Sequence, residues 1–115
     1  MRVREVAERI GLDVRAGRGG IEREVRGGYA SDLLSDVMAG AREGDLWVTL
    51  QGHQNVVAVA AMAQLAGIVL IGGREPAENA IEKAENEGIP ILTTPRTTFE
   101  TVAGLHDLGI RGGRR

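Results

Sequence analysis

The sequence predicts an α/β domain with a mainly parallel sheet, and three observations predict it. From residue 46 onward, short apolar runs rich in Val, Ile and Leu alternate with segments of helical spacing. The connections between them are short, which in a strand–helix–strand series means right-handed parallel units. The chain has 115 residues with no linker, fixed-period repeat or low-complexity tract. A single domain of that length buries roughly two-thirds of its unfolded surface, so a core can form without staples.

Val3, Val6, Ala7 and Ile10 fall at helical spacing over residues 2–10, and Gly11 supplies the stop. Residues 12–30 are turn-rich, with short extended pieces around Leu12–Val14 and Ile21–Tyr29. Ser31 or Asp32 is placed to cap a helix to about Ala41, with Leu33, Leu34, Val37 and Met38 on one face. Gly44-Asp45 then turns the chain into a strand, Leu46–Leu50. Asn55–Ala66 reads as a helix and Ile68–Ile71 as the next strand. Pro76 stands as a first helical residue of a segment running to Glu87, stopped by Gly88. Ile89–Thr93 is the third strand. Thr97 with Glu100 three residues on makes a capping box for a helix to Leu108, ended by Gly109. The domain is expected over 1–109, with 110–115 a frayed, disordered basic tail.

Composition removes several classes of function. The 14 Lys+Arg against 16 Asp+Glu give a net charge of −2, which offers no general field for nucleic acid. Only three aromatics are present (Tyr29, Trp47, Phe99), too few for a base-stacking surface. The longest apolar run, Val56–Ala63, is far short of the ~20 residues that span a bilayer. Nucleic acid and membrane are therefore not expected partners. Without cysteine there are no disulfides, zinc ribbons or thiol nucleophiles, and with no apolar h-region at the N-terminus the expected compartment is the cytoplasm. No cofactor or metal is called for.

The Asn55–Ala66 segment, NVVAVAAMAQLA, carries no charge and is apolar nearly all round. Such a helix is usually buried on more than one side. One face meets the sheet, and the other is to be covered by the N-terminal helix or by a second copy of the chain. This motivates the expectation of a homodimer.

In an open parallel sheet, ligands collect outside the carboxyl ends of the strands. Three loops arrive there, and they supply the candidate ligand-binding residues Gln51, His53, Asn55, Gly72, Gly73, Arg74, Thr94, Thr97 and Thr98. Paired glycines bring backbone N–H groups near an anion and helix N-termini favour negative charge, so the inventory suits a phosphate- or carboxylate-bearing ligand. Each loop singly is also explained as a turn followed by a helix start. His53, in a polar loop before an apolar helix, fits a general base, an anion contact or a loop anchor. His106 reads as a surface residue. No phosphate-binding GxxxxGK[ST], HExxH, GxSxG or calcium-loop pattern occurs, and no catalytic residue is assigned. Arg15, Arg18, Arg23 and Arg26, with Arg111, Arg114 and Arg115, read as a solvated face and tail.

Asp36 and the stretches DLWVTLQGHQN, GIVLIGGREP and GIPILTTPRTTFET together resemble the DRTGG domain family over roughly residues 3–109. The chain is also similar to the amino-terminal domain of the kinase/phosphorylase that acts on the phosphocarrier protein HPr. The resemblance implies a three-layer α/β/α domain that often dimerises and serves regulation or ligand sensing rather than catalysis. The family's name residues are partly kept: Gly52-His53-Gln54 stands where many members carry Gly-Asp-Arg, and Ile71-Gly72-Gly73 where they carry Thr-Gly-Gly. His and Asn in that loop look like the form of stand-alone members. The expected function is a homodimeric regulatory domain binding a small phosphorylated ligand, such as an adenine nucleotide, at the loop edge. The alternative is an interaction module for a partner enzyme or kinase, docking through the apolar helix and basic tail.

Overall fold

The computed structural model of the chain describes residues 1–113. Its elements are α1 (Val3–Ile10), β1 (Asp13–Ala16), a 3₁₀ turn (Arg18–Gly20), β2 (Gly27–Ala30), α2 (Leu34–Gly40), β3 (Asp45–Thr49), α3 (Gln54–Met62), β4 (Gly67–Leu70), α4 (Glu78–Glu87), β5 (Ile91–Thr93) and α5 (Thr98–Asp107). The sheet order is β1-β5-β4-β3-β2. Strands β2 to β5 run parallel, and β1 pairs antiparallel with β5. The series β3–α3–β4–α4–β5 thus joins sheet neighbours in chain order, as the alternation predicts. The two extended pieces of the glycine-rich segment supply the sheet's edges, one on each side.

Helices cover both faces. Helices α2, α3 and α4 pack over Trp47, Ile68, Leu70 and Ile91, while α1 and α5 pack over Leu46, Val48, Val69 and Leu92. The period-2 alternation of a strand sends neighbours to opposite layers. Because both layers are covered, β3, β4 and β5 are buried at every position. That is why they read as continuous apolar runs rather than as alternating ones.

Glycine at 17 follows from close approach. A Cβ there would lie 2.0 Å from the Ile89 carbonyl oxygen, so only the bare backbone fits beside the entry to β5. The Gly17 N–H also donates to Glu85 Oε1 at 2.6 Å, tying this bend to α4. In the early glycine cluster, which lacks the GxxxxGK[ST] pattern, Gly17 and Gly20 serve packing.

Several expectations are corrected. Helix α3 ends at Met62, not Ala66: Gln64 adopts φ 55°, and its carbonyl accepts from Gly44 N–H, so the chain turns to bury Leu65 and Ala66 ahead of β4. The second cover of α3 is not α1: its own-layer neighbours α2 and α4 flank it, while Met62 at its end stays 73% exposed. Helix α2 is capped by neither Ser31 nor Asp32, because Leu33 holds the N-cap position. Ser31 Oγ instead accepts from the Leu33 N–H in a local turn. Of the face expected for α2, Val37 is buried, whereas Leu33 is 64% and Met38 55% exposed. Pro76 precedes α4 rather than opening it, with Ala77 as N-cap. The Thr97–Glu100 capping box is present as expected. Beyond α5, Ile110 packs against the α1/α5 layer, and Gly28 N–H donates to the Arg111 carbonyl at 3.2 Å. Residues 110–113 therefore lie along the free edge of β2; Arg114 and Arg115 lie outside the described residues.

Candidate functional site

The three βα loops meet at the carboxyl rim of the sheet because β3, β4 and β5 are neighbours, and main-chain hydrogen bonds tie them. Ala77 N–H donates to the Gly52 carbonyl at 2.9 Å, joining the loop after β4 to that after β3. Gly73 N–H donates to the Thr94 carbonyl at 3.0 Å and Gly72 N–H to the Arg96 carbonyl at 2.7 Å, joining it to the loop after β5. Both glycines have positive φ, 69° and 72°, the left-handed region in which a Cβ is unfavourable. The pair is needed so that two successive amides can turn toward the neighbouring loop.

This overturns one expectation. The Gly72 and Gly73 N–H groups do not face an open hollow; each already has a carbonyl acceptor. The groups left open at the rim are side chains and the start of α3. Here His53 is the N-cap, with extended backbone and no side-chain cap to the first-turn amides. The side chains of His53 and Asn55 are exposed, and neither makes a hydrogen bond among the described residues. Arg74 is exposed as well, and its guanidinium lies over Gly72, 3.4 Å from where a Cβ would stand.

The other candidates have structural work. Gln51 Nε2 donates to the Asp32 carbonyl at 3.2 Å, and Gln51 N–H to Thr49 Oγ1 at 3.2 Å. Thr94 is buried, and its Oγ1 accepts from Arg96 N–H. Thr97 Oγ1 accepts from Glu100 N–H at 3.1 Å, while Glu100 Oε1 accepts from Thr97 N–H at 3.0 Å. Those bonds hold the Glu100 carboxyl below its ordinary value, since they favour the charged form. Thr98 is exposed in the first turn of α5.

Sequence reading missed one rim residue. Asp32 Oδ1 accepts from Thr49 Oγ1 and from Leu50 N–H, both at 2.9 Å, clamping the end of β3 to the start of α2. The only signal was an acidic residue before an apolar helix, which reads equally well as a cap. Arg96, which its place in the loop after β5 puts at the same edge, aims its guanidinium at α1: Nη1 donates to the Ile10 carbonyl at 2.7 Å. Glu75 pairs with Arg15 of β1, so it does not orient His53. Among the described residues no carboxylate is bonded to His53 and no group of three or more His, Asp or Glu could hold a metal ion. The early arginines are also partly accounted for: Arg18 donates to the Val14 carbonyl and Arg23 to that of Gly88.

Fold and rim together define an open three-layer α/β/α domain with its βα loops gathered at one edge of a mainly parallel sheet. The chain belongs to the DRTGG domain family, whose model matches residues 5–108. Among solved structures it is similar to the CBS and DRTGG domains of the regulatory region of Clostridium perfringens pyrophosphatase, a structure complexed with the activator diadenosine tetraphosphate. The TM-score is 0.66 at 12% identity, over 98% of this chain and 51% of that one, so the present chain spans about half the length of that neighbour. No curated protein matches the sequence. No helix among the described residues is long and apolar enough to cross a membrane.

Proposed function

We propose that this chain is a non-catalytic, ligand-sensing regulatory domain that takes a small phosphorylated ligand, of the adenine-nucleotide class, at the βα-loop rim. The observation that supports the reading is the stitching of the three loops, which joins the loop of the exposed Arg74 to that of the exposed His53, where α3 starts with no side-chain cap. A guanidinium, an imidazole and a helix N-terminus in one region form a phosphate-binding chemistry that needs no free glycine amides. The activator bound by the clostridial regulatory region supports the ligand class.

The test is thermal unfolding with diadenosine tetraphosphate, ATP, AMP and inorganic phosphate. A ligand at 100 times its dissociation constant stabilises by about 2.7 kcal/mol, and the expected shift disappears in Arg74→Ala and shrinks in His53→Ala. The absence of a shift with every ligand overturns the reading.

A second reading, self-association, has a specific observation behind it. Leu33 (64%), Met38 (55%) and Met62 (73%) are exposed on the outer α2–α3 layer, and Met38 and Met62 line one shallow depression with Val59. Exposed apolar side chains gathered in one place mark contact surfaces, and Met packs adaptably. Sedimentation equilibrium checks it: a dimer in the native chain that becomes a monomer in Met38→Lys/Met62→Lys supports this surface, and a native monomer rules it out.

A further inference from the structure

In the α1/α5 layer, next to the rim loop that carries Arg96, lies a cavity of about 240 Å³. Its walls include Arg9, Ile10, Leu12, Arg96, Glu100 and Gly104. We propose that this cavity is a second binding site, for a small phosphomonoester with a short apolar body, gripped between Arg9 and Arg96.

Charge is the first support. Arg9 makes no hydrogen bond or ion pair among the described residues, and Arg96 uses Nη1 on the Ile10 carbonyl, leaving the rest of its planar fork open. That bond also fixes the direction of the Arg96 guanidinium, at the negative end of α1. Capping α1 therefore accounts for one N–H of Arg96 and for nothing of Arg9. Glu100 is the only carboxylate on the wall, and its Oε1 is held by Thr97 N–H and Oγ1 at the start of α5. Two guanidinium groups suit a dianion, and a phosphomonoester is close to dianionic near neutral pH.

Shape is the second support. Ile10 and Leu12 give the cavity an apolar side, and Gly104 leaves room on α5, with the Ile10 side chain 3.8 Å from where its Cβ would stand. The volume lies below the roughly 300–1,000 Å³ of drug-sized ligand pockets. It matches a small phosphorylated metabolite in size, smaller than the ligand proposed for the rim.

The experiment is a titration of the ¹⁵N-labelled chain at constant ionic strength with propyl phosphate, inorganic phosphate and acetate, followed by amide and Arg Nε shifts. Propyl phosphate is expected to give saturable changes at Gly104 and Arg96 Nε. Arg9→Gln and Arg96→Gln should each weaken its apparent affinity about tenfold or more, as loss of a charged hydrogen bond does. Gly104→Leu, which fills the cavity, should abolish binding with the spectrum otherwise native, and Arg74→Ala should leave it unchanged. Absence of saturable change at Gly104, or change confined to His53 and Arg74, overturns the proposal. Equal affinity for acetate overturns the dianion requirement, and equal affinity for inorganic phosphate overturns the apolar body. Nucleotide shifts that fail while propyl phosphate binds at Gly104 overturn the rim reading alone.

Discussion

Gly73 N–H and the Thr94 carbonyl stand 3.0 Å apart, with Gly72 N–H on the neighbouring Arg96 carbonyl at 2.7 Å. These bonds turn the glycine pair from an anion cradle into a hinge pin between two loops. Amide hydrogens with carbonyl acceptors offer little to a ligand, because binding one would leave a carbonyl unpaired. The phosphate site proposed for this edge therefore relies on side chains, Arg74 and His53 first among them.

The conformation of the pair sets its tolerance. At φ of 69° and 72°, Gly72 and Gly73 stand where a Cβ costs about 1–2 kcal/mol. Gly73→Ala is expected to destabilise by about that amount although no atom lies within 4 Å of the new Cβ. Asn, which tolerates the left-handed region, should cost less. Urea denaturation of the three chains tests this, and an unchanged midpoint for Gly73→Ala would show that the loop relaxes to negative φ.

Asp32 holds the end of β3 through Thr49 Oγ1 and Leu50 N–H. Thr49 is 1% exposed, so removing its acceptor leaves a buried hydroxyl to re-pair. Asp32→Ala should lower stability by about 1–3 kcal/mol. Asp32→Asn, which keeps an acceptor oxygen, should recover most of the loss. A hydrogen-exchange measurement would place the loosening at Leu50 and the start of α2. If stability is unchanged while ligand response is lost, Asp32 belongs to the binding surface instead.

Much of this architecture was legible in the sequence, because burial on both faces makes strands such as Ile68–Leu70 continuous apolar runs and short loops force the crossovers. The box at Thr97 and Glu100 was legible because its chemistry is local. What escaped depends on distant pairing. Gln64 at φ 55° ends α3 through contact with Gly44, which no helical pattern announces. The amides of Gly72 and Gly73 looked free because their acceptors lie some twenty residues on, at Thr94 and Arg96. Asp32 was read as a cap because capping is its commonest local use; its partners lie across the sheet edge.

Gly104 sits inside α5, where its lack of a side chain costs helix stability. An added Cβ meets only Ile10 methyl carbons at 3.8 and 3.9 Å, ordinary contact distances. Gly104→Ala is therefore expected to stabilise the fold by about 0.5–1 kcal/mol, raising the melting temperature by a few degrees. Calorimetry checks the sign. A destabilised variant would show that α1 and α5 approach more closely than the cavity between them implies.

The acid limb of stability should run through the helix starts. Glu100 accepts from Thr97 N–H and Oγ1, and Glu5 from Arg2 N–H at 2.8 Å. Backbone hydrogen bonding lowers both carboxyls below the ordinary 4.5, and Glu22, bonded to the Arg4 guanidinium, is lowered too. A group whose pKa is lower in the folded than in the unfolded state contributes stability that is present above the unfolded value and lost as pH falls through the folded one. The free energy of unfolding is thus expected to be level with respect to these groups from pH 7 to about 5 and to decline below ~4.5. Glu100→Gln keeps an acceptor at the third helical position but removes the titration. Its acid decline should be shallower than that of the native chain, with α5 helicity retained at pH 3. An identical decline in the two proteins, measured by urea unfolding at matched ionic strength, would remove Glu100 from the acid response.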